Sequence, residues 1–336
     1  MKSPSLIATS ALAVMAAGAV AAGSLSTGGA VALPVVDARL GTTNVTPAAT
    51  WNASEYDGTA FTTNQPDLND LPKVHAVYMH ASDAPSRFGA LAAYFQAENR
   101  RANTLLTPGT GMAIRWDERV ATDGSRRLLQ DITVVKAAAT SKALSSKKQF
   151  GLVGTALADA GLNDPNTKYM VYVDANSTTC GQSQGPSDTQ RSAANAANGT
   201  SYSTAYAGND PAVGGGFCNP ILHELTHAFG GVLSAAPHYV RGAHCNDDGN
   251  DVMCDASGST LPFSTDRPRT YDGPSVIGGA GNDTYLDPAA DLANIGTDRK
   301  TGKLGYWAVN LSRFMCPRSV RDATVPNCSV ANKPTY

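Results

Sequence analysis

His223, Glu224 and His227 stand in the order H-E-x-x-H. On a helix, residues four apart share one face, so the two imidazoles can meet one metal ion. Glu224 then reaches a water on that metal, the arrangement of a zinc-dependent hydrolase. Zinc brings the pKa of such a water toward neutrality, and a nearby carboxylate can take its proton as it attacks a carbonyl. The chain holds 6 His and four Glu (Glu55, Glu98, Glu118, Glu224). A shuffled sequence of that composition would show the pattern roughly once in a thousand. The rival reading is a helix whose histidines merely pack or face solvent, and the residues that follow weigh against it.

Gly230 falls three residues after His227, and Gly231 follows. Paired glycines end a helix abruptly, because they accept the left-handed conformation of a C-terminal cap. The chain can then turn back and offer a third ligand. His238 returns soonest and is the preferred candidate, with His244 as the alternative. Met253, in the run DVMCD, fits a tight turn under the site.

This stretch resembles the metzincin group of zinc endopeptidases, whose pattern is H-E-x-x-H-x-x-G-x-x-H followed by a methionine turn. It is most similar to a family of secreted actinobacterial metzincin-like proteins carrying HExxHxxGxVxxSAPH, then HCxDxxDVMC, then a GNDxY segment. The resemblance covers about residues 73–316 and is most specific over 223–254. It implies an endopeptidase with a sheet above the zinc cleft, whose edge strand pairs with extended substrate. Two departures stand out. The metzincin third histidine would fall on Leu233, so the ligand-bearing loop must be longer here. The tyrosine that often follows the turn methionine by two residues is Asp255, which leaves the oxyanion donor unassigned; Tyr239 or Tyr285 could supply a phenol.

The composition suits an exported protein. At 336 residues the chain can bury a large core. The formal charge is -2, charged residues make up 16%, and no basic run occurs, which argues against nucleic acid or anionic membrane surfaces as partners. Lys2 precedes an apolar run over 6–22, with A-x-A-like cleavage points after Ala22 and Ala32. Residues 1–32 therefore read as a secretory signal peptide, and the mature protein is expected to be secreted and free of the membrane. The 6 Cys suit an oxidising destination, and local pairing suggests Cys180–Cys218, Cys245–Cys254 and Cys316–Cys328.

The elements that must hold the site read as an α/β (α+β) fold, a mixed twisted sheet with helices. The expected divisions are a linker or short pro-segment over 33–72 and a catalytic domain over 73–336. That domain comprises an upper sheet part (73–230) and a smaller irregular C-terminal subdomain with the methionine turn (231–336). Strands are expected at 73–79, 112–120, 131–137 and 168–175, and helices at 86–106 and 150–162. The run at 168–175 is almost continuously apolar, the mark of a strand covered on both faces. His75 and His80 read as structural. Residues 176–219, rich in Ser, Gly, Asn and Gln, read as a long loop forming a cleft wall or lid. The segment 304–315, carrying Trp307 and Phe314, reads as a closing element. Asn246, Asp247, Asp248, Asn250, Asp251 and Asp255 offer oxygens that suit calcium, though an Asx turn around Gly249 needs none. The run 278–286 matches a single calcium-binding nonapeptide, one copy of which cannot build a stacked β-helix.

The leading expectation is thus a monomeric secreted zinc endopeptidase, with a protein or peptide as substrate. Its ligands would be His223, His227 and His238 (or His244), with Glu224 as general base. The alternative is a non-catalytic extracellular module whose metal is closed off by four protein ligands.

Overall fold

The computed structural model describes residues 56–110, 112–146, 148–177, 179–186, 188, 195–207, 220–231, 239–245, 252–254 and 314–317. The expected signal peptide, the oxygen-rich loop at 246–251 and the segment 278–286 lie outside them.

Strand β1 (Lys73–His80) is followed by helix α1 (Phe88–Thr110) and strands β2 (Met112–Ile114), β3 (Glu118–Val120), β4 (Leu128–Gln130) and β5 (Ile132–Lys136). Helices α2 (Ser141–Leu144) and α3 (Gln149–Asp159) lead to β6 (Thr167–Asp174), β7 (Gly181–Ser183) and β8 (Ser201–Tyr206). Helix α4 (Ile221–Ala228) comes next, then the short strands β9 (Tyr239–Val240), β10 (His244–Cys245) and β11 (Met315–Pro317). The main sheet has the order β5-β1-β6-β8-β7. Its first four members run parallel and β7 is antiparallel at the edge.

Alternation along β1 divides the interior in two. Val74, Ala76 and Tyr78 face α1 and α4, in a core that also holds Phe95, Met170, Tyr172, Leu222 and Leu225. Val77 and Met79 face α3, with Val153, Leu157, Val171 and Val173. Both faces of β1 and β6 are therefore covered, which is why each of these strands reads as a nearly unbroken apolar run. An α/β architecture results, with the sheet mostly parallel.

Three expectations are corrected. The single strand over 112–120 is two, β2 and β3, because Trp116 between them bridges to Val74 where β5 no longer flanks β1. The backbone of Arg115 and Asp117 bonds Val74 on either side of that bridge. The presumed loop over 176–219 contains β7 and β8. In β8 the run SYSTAY conceals a strand because its inward groups are hydroxyls. Ser203 and Thr204 are fully buried, and their hydroxyls bond the carbonyls of Glu224 (3.1 Å) and Gln182 (3.1 Å). Finally, the linker boundary at 72 is too late. Tyr56 packs edge-on against Phe88, Phe61 bridges to Thr133, and Asp57 forms a buried ion pair with Arg119 at 2.7 Å.

The far end of the chain returns to the sheet. β11 pairs antiparallel with β2, and the Phe314 ring stacks on Phe229, just beyond α4, at 6.1 Å. It also lies under the Lys168 ammonium at 4.7 Å. Of the expected closing element, Phe314 and Met315 are described and buried; Trp307 lies outside the described residues.

Candidate metal centre

Helix α4 carries the pattern from which the site is built. Ile221, Leu222, Leu225 and Ala228 are buried and fasten it to the core, which leaves His223 and His227 on the opposite side. Gly230 adopts φ 82°, and the last turn closes with Gly230 N–H donating to His227 O (2.9 Å) and Gly231 N–H donating to Thr226 O (2.9 Å). These two bonds are those of a Schellman cap, the abrupt ending expected of the glycine pair.

The chain comes back as the hairpin β9–β10, with His244 opposite Val240. Its turn runs through Gly242 (φ 89°) and Ala243 (φ 63°). A methyl on Gly242 would sit 3.3 Å from His244 Nδ1, so the bare glycine leaves room for the ring. The hairpin brings His244 Nε2 to 3.1 Å from His223 Nε2, and His227 Nε2 lies 3.2 Å from the same atom. Around a tetrahedral zinc with bonds of about 2.0–2.1 Å, nitrogens stand roughly 3.3 Å apart.

Proton placement makes this convergence specific. His223 Nδ1 lies 2.6 Å from the carbonyl oxygen of Val252, which can only accept, so the ring hydrogen is on Nδ1. The lone pair on His223 Nε2 then points at two other imidazoles, and at most one N–H can satisfy it. A cation among the three satisfies all of them, with the carbonyl acting as the orienting partner that metal-bound histidines usually have. Burial, followed by the neighbouring His223 and His244 rings, holds His227 well below the ordinary imidazole value, so it stays neutral and able to ligate. These residues fit a zinc ion. Of the two candidates for third ligand, His244 is the one brought to the pair; His238 lies outside the described residues, as do Tyr285 and the side chain of Tyr239.

Glu224 is 6% exposed, and burial pushes its carboxyl up to about 8. A divalent cation beside it would draw that value down again. The backbone of Gly181, in edge strand β7, runs directly past this carboxylate. Met253 is fully buried in the core that holds Leu222 and Leu225, and Val252 beside it meets His223. Nothing in the pattern identified the Val252 carbonyl or Gly181, since backbone groups leave no signature of residue type. Cys180 and Cys254 are disulfide-bonded; the side chains of Cys218 and Cys245, their expected partners, lie outside the described residues.

A second group of possible ligands, His75 on β1 with Asp117 and Asp131, is buried. Here both imidazole nitrogens are engaged, Nδ1 with Asp117 (2.8 Å) and Nε2 with Thr133 (2.8 Å). The carboxylates also face cations, with Lys73 3.8 Å from Asp117 and Arg119 3.9 Å from Asp131. This group is a buried charge network, in keeping with a structural role for His75. His80 likewise turns its Nδ1 to the carbonyls of Ala81 and Ala84.

Comparison with protein-family models, with curated proteins and with solved structures found no match to the chain.

Proposed function

We propose that the chain is a zinc-dependent endopeptidase of the metzincin kind, with His223, His227 and His244 holding the metal and Glu224 serving as general base. The observation that carries this reading is the meeting of three imidazoles around His223 Nε2, while His223 Nδ1 is anchored to Val252. Zinc held there would supply a Lewis acid for the scissile carbonyl and lower the pKa of the attacking water. The Glu224 carboxylate takes the proton from that water as it attacks and delivers it to the departing amine.

A peptide substrate is favoured by the edge strand. Cys180 O and Gln184 N bond into β8, at Tyr206 and Tyr202. By the alternation of an antiparallel ladder, the backbone groups of Gly181 and Ser183 point the other way, along an edge that no other described strand pairs with. An extended peptide could add to that edge and pass beside Glu224. The disulfides at Cys180 and Cys254 support an exported protein.

The test is metal analysis of the purified, oxidised protein together with hydrolysis of a peptide library, with and without chelator. About one zinc per chain and chelator-sensitive cleavage are expected. A protein free of transition metal and indifferent to added zinc would end this reading, and bound zinc with four protein ligands and no cleavage would favour the non-catalytic module.

A further inference from the structure

Glu224 lies between α4 and the edge strand, and among the described residues no hydrogen bond holds its carboxylate. Its backbone is fixed, with N–H donating to Pro220 O (2.8 Å) and the carbonyl accepting from Ser203 Oγ (3.1 Å). Packing alone must therefore aim the side chain. Gly181 packs closely against it. A Cβ built there would lie 2.7 Å from both Cγ and Oε1 of Glu224, and 2.5 Å from the carbonyl oxygen of Thr204. Ordinary non-bonded carbon contacts are about 3.5–4.0 Å, so neither neighbour could stay in place.

The two neighbours differ in what they can yield. The Thr204 carbonyl belongs to β8, which is paired on both sides within the sheet. The Glu224 side chain has free torsions and would swing aside. The 2.5 Å contact with the fixed Thr204 carbonyl would be relieved only by the edge strand itself moving outward, so both changes alter where the carboxylate is held. Conformation does not explain the glycine, because Gly181 is not among the positive-φ positions. Space does.

We propose that Gly181 is a positioning residue for the general base: by lacking a side chain it lets the edge strand lie flush against the Glu224 carboxylate and fixes where that carboxylate points. The proposal rests on the peptidase reading given above. It predicts that a single methyl at position 181 moves the carboxylate away from the attacking water without disturbing the three histidines. Misplacing a reacting group by about 1 Å can cost on the order of 100-fold in rate.

The experiment compares the zinc-loaded wild type with Gly181→Ala, Glu224→Asp and the double variant. Each is assayed for zinc content, thermal midpoint, kcat and KM on one cleaved peptide. Gly181→Ala is expected to keep its zinc, to unfold cooperatively at a lowered thermal midpoint, to hold KM within about threefold, and to lose on the order of 100-fold in kcat. In the Glu224→Asp background, where the carboxylate is already drawn back by one methylene, the same methyl should cost little more. An additive loss in the double variant would show that Gly181 acts elsewhere and would overturn the proposal. So would wild-type kcat in Gly181→Ala, or loss of zinc and of cooperative unfolding together, which would make the glycine a packing residue only. A wild type that cleaves no peptide defeats the peptidase reading itself and takes this proposal with it, whereas a cleaving wild type with an unaffected Gly181→Ala defeats this proposal alone.

Discussion

His223 Nδ1 donates its hydrogen to the carbonyl oxygen of Val252 at 2.6 Å, joining the helix that carries the H-E-x-x-H pattern to the turn that carries Met253. Because the ring's hydrogen is committed there, Nε2 faces His227 and His244 with a bare lone pair. Replacing His244 with Ala should therefore remove a metal ligand while leaving the α4 pair intact. The expected outcome is a protein that folds but loses its zinc on dialysis, measured as metal per chain by elemental analysis.

Glu224 is not placed to bind the metal in the way the histidines are; its proposed task is proton transfer. Glu224→Gln keeps the shape of the side chain and removes the base. Zinc content and thermal midpoint should stay at wild-type values, while kcat falls by about 10²- to 10⁴-fold, the usual worth of a positioned general base. Full proteolysis by this variant would rule the mechanism out.

Acid stability should depend on Asp57. Burial alone would raise its carboxyl, but the Arg119 guanidinium and the N–H groups of Thr122 and Thr59 outweigh that and hold it well below the usual carboxylate range. A depressed folded-state pKa gives stability that is present above the unfolded value of about 3.9 and lost as pH falls below it. Wild-type protein should thus lose stability in urea titrations as pH drops from about 4 downward. Asp57→Asn should lose less over that window while being weaker at pH 7. Truncating the residue altogether leaves Arg119 buried beside Tyr56 and Phe61 with only the more distant Asp131, at 3.9 Å, as counter-ion, which should cost up to about 3–5 kcal/mol.

The helix cap offers a simpler check. Gly230 sits at φ 82°, where a side chain costs about 1–2 kcal/mol. Gly230→Ala should lower the unfolding free energy by that amount, measured by urea denaturation. It should also loosen zinc, because the same turn redirects the chain toward the hairpin that carries His244.

The residues of the candidate site were easier to read from the sequence than the framework that holds them. His223, Glu224 and His227 were legible because one residue type at one spacing has one strong meaning, and Gly230 because its backbone demand is equally particular. β1 and β6 were legible from their apolar runs, since burial on both faces leaves few polar positions. β8 was not, because its buried Ser203 and Thr204 satisfy their hydroxyls locally and so resemble loop residues. The choice between His238 and His244 could not be made by counting residues, since it depends on how the chain turns at Gly242 and Ala243. The pairing of Asp57 with Arg119 joins positions 62 apart, which no local pattern reveals.

The return of β11 to β2 has a bearing on how the protein is made. Arg115 receives the Phe314 carbonyl on its backbone N–H (2.9 Å), and its guanidinium reaches the Met315 carbonyl (2.9 Å). Phe314 also covers the buried ammonium of Lys168 on β6. A growing polypeptide that has not yet reached position 314 leaves both cations uncovered in the middle of an otherwise assembled sheet. Completion of the fold must therefore wait until residues 314–317 have been made, and chains cut short before that point should be prey for quality-control proteases even though the three converging histidines are already present.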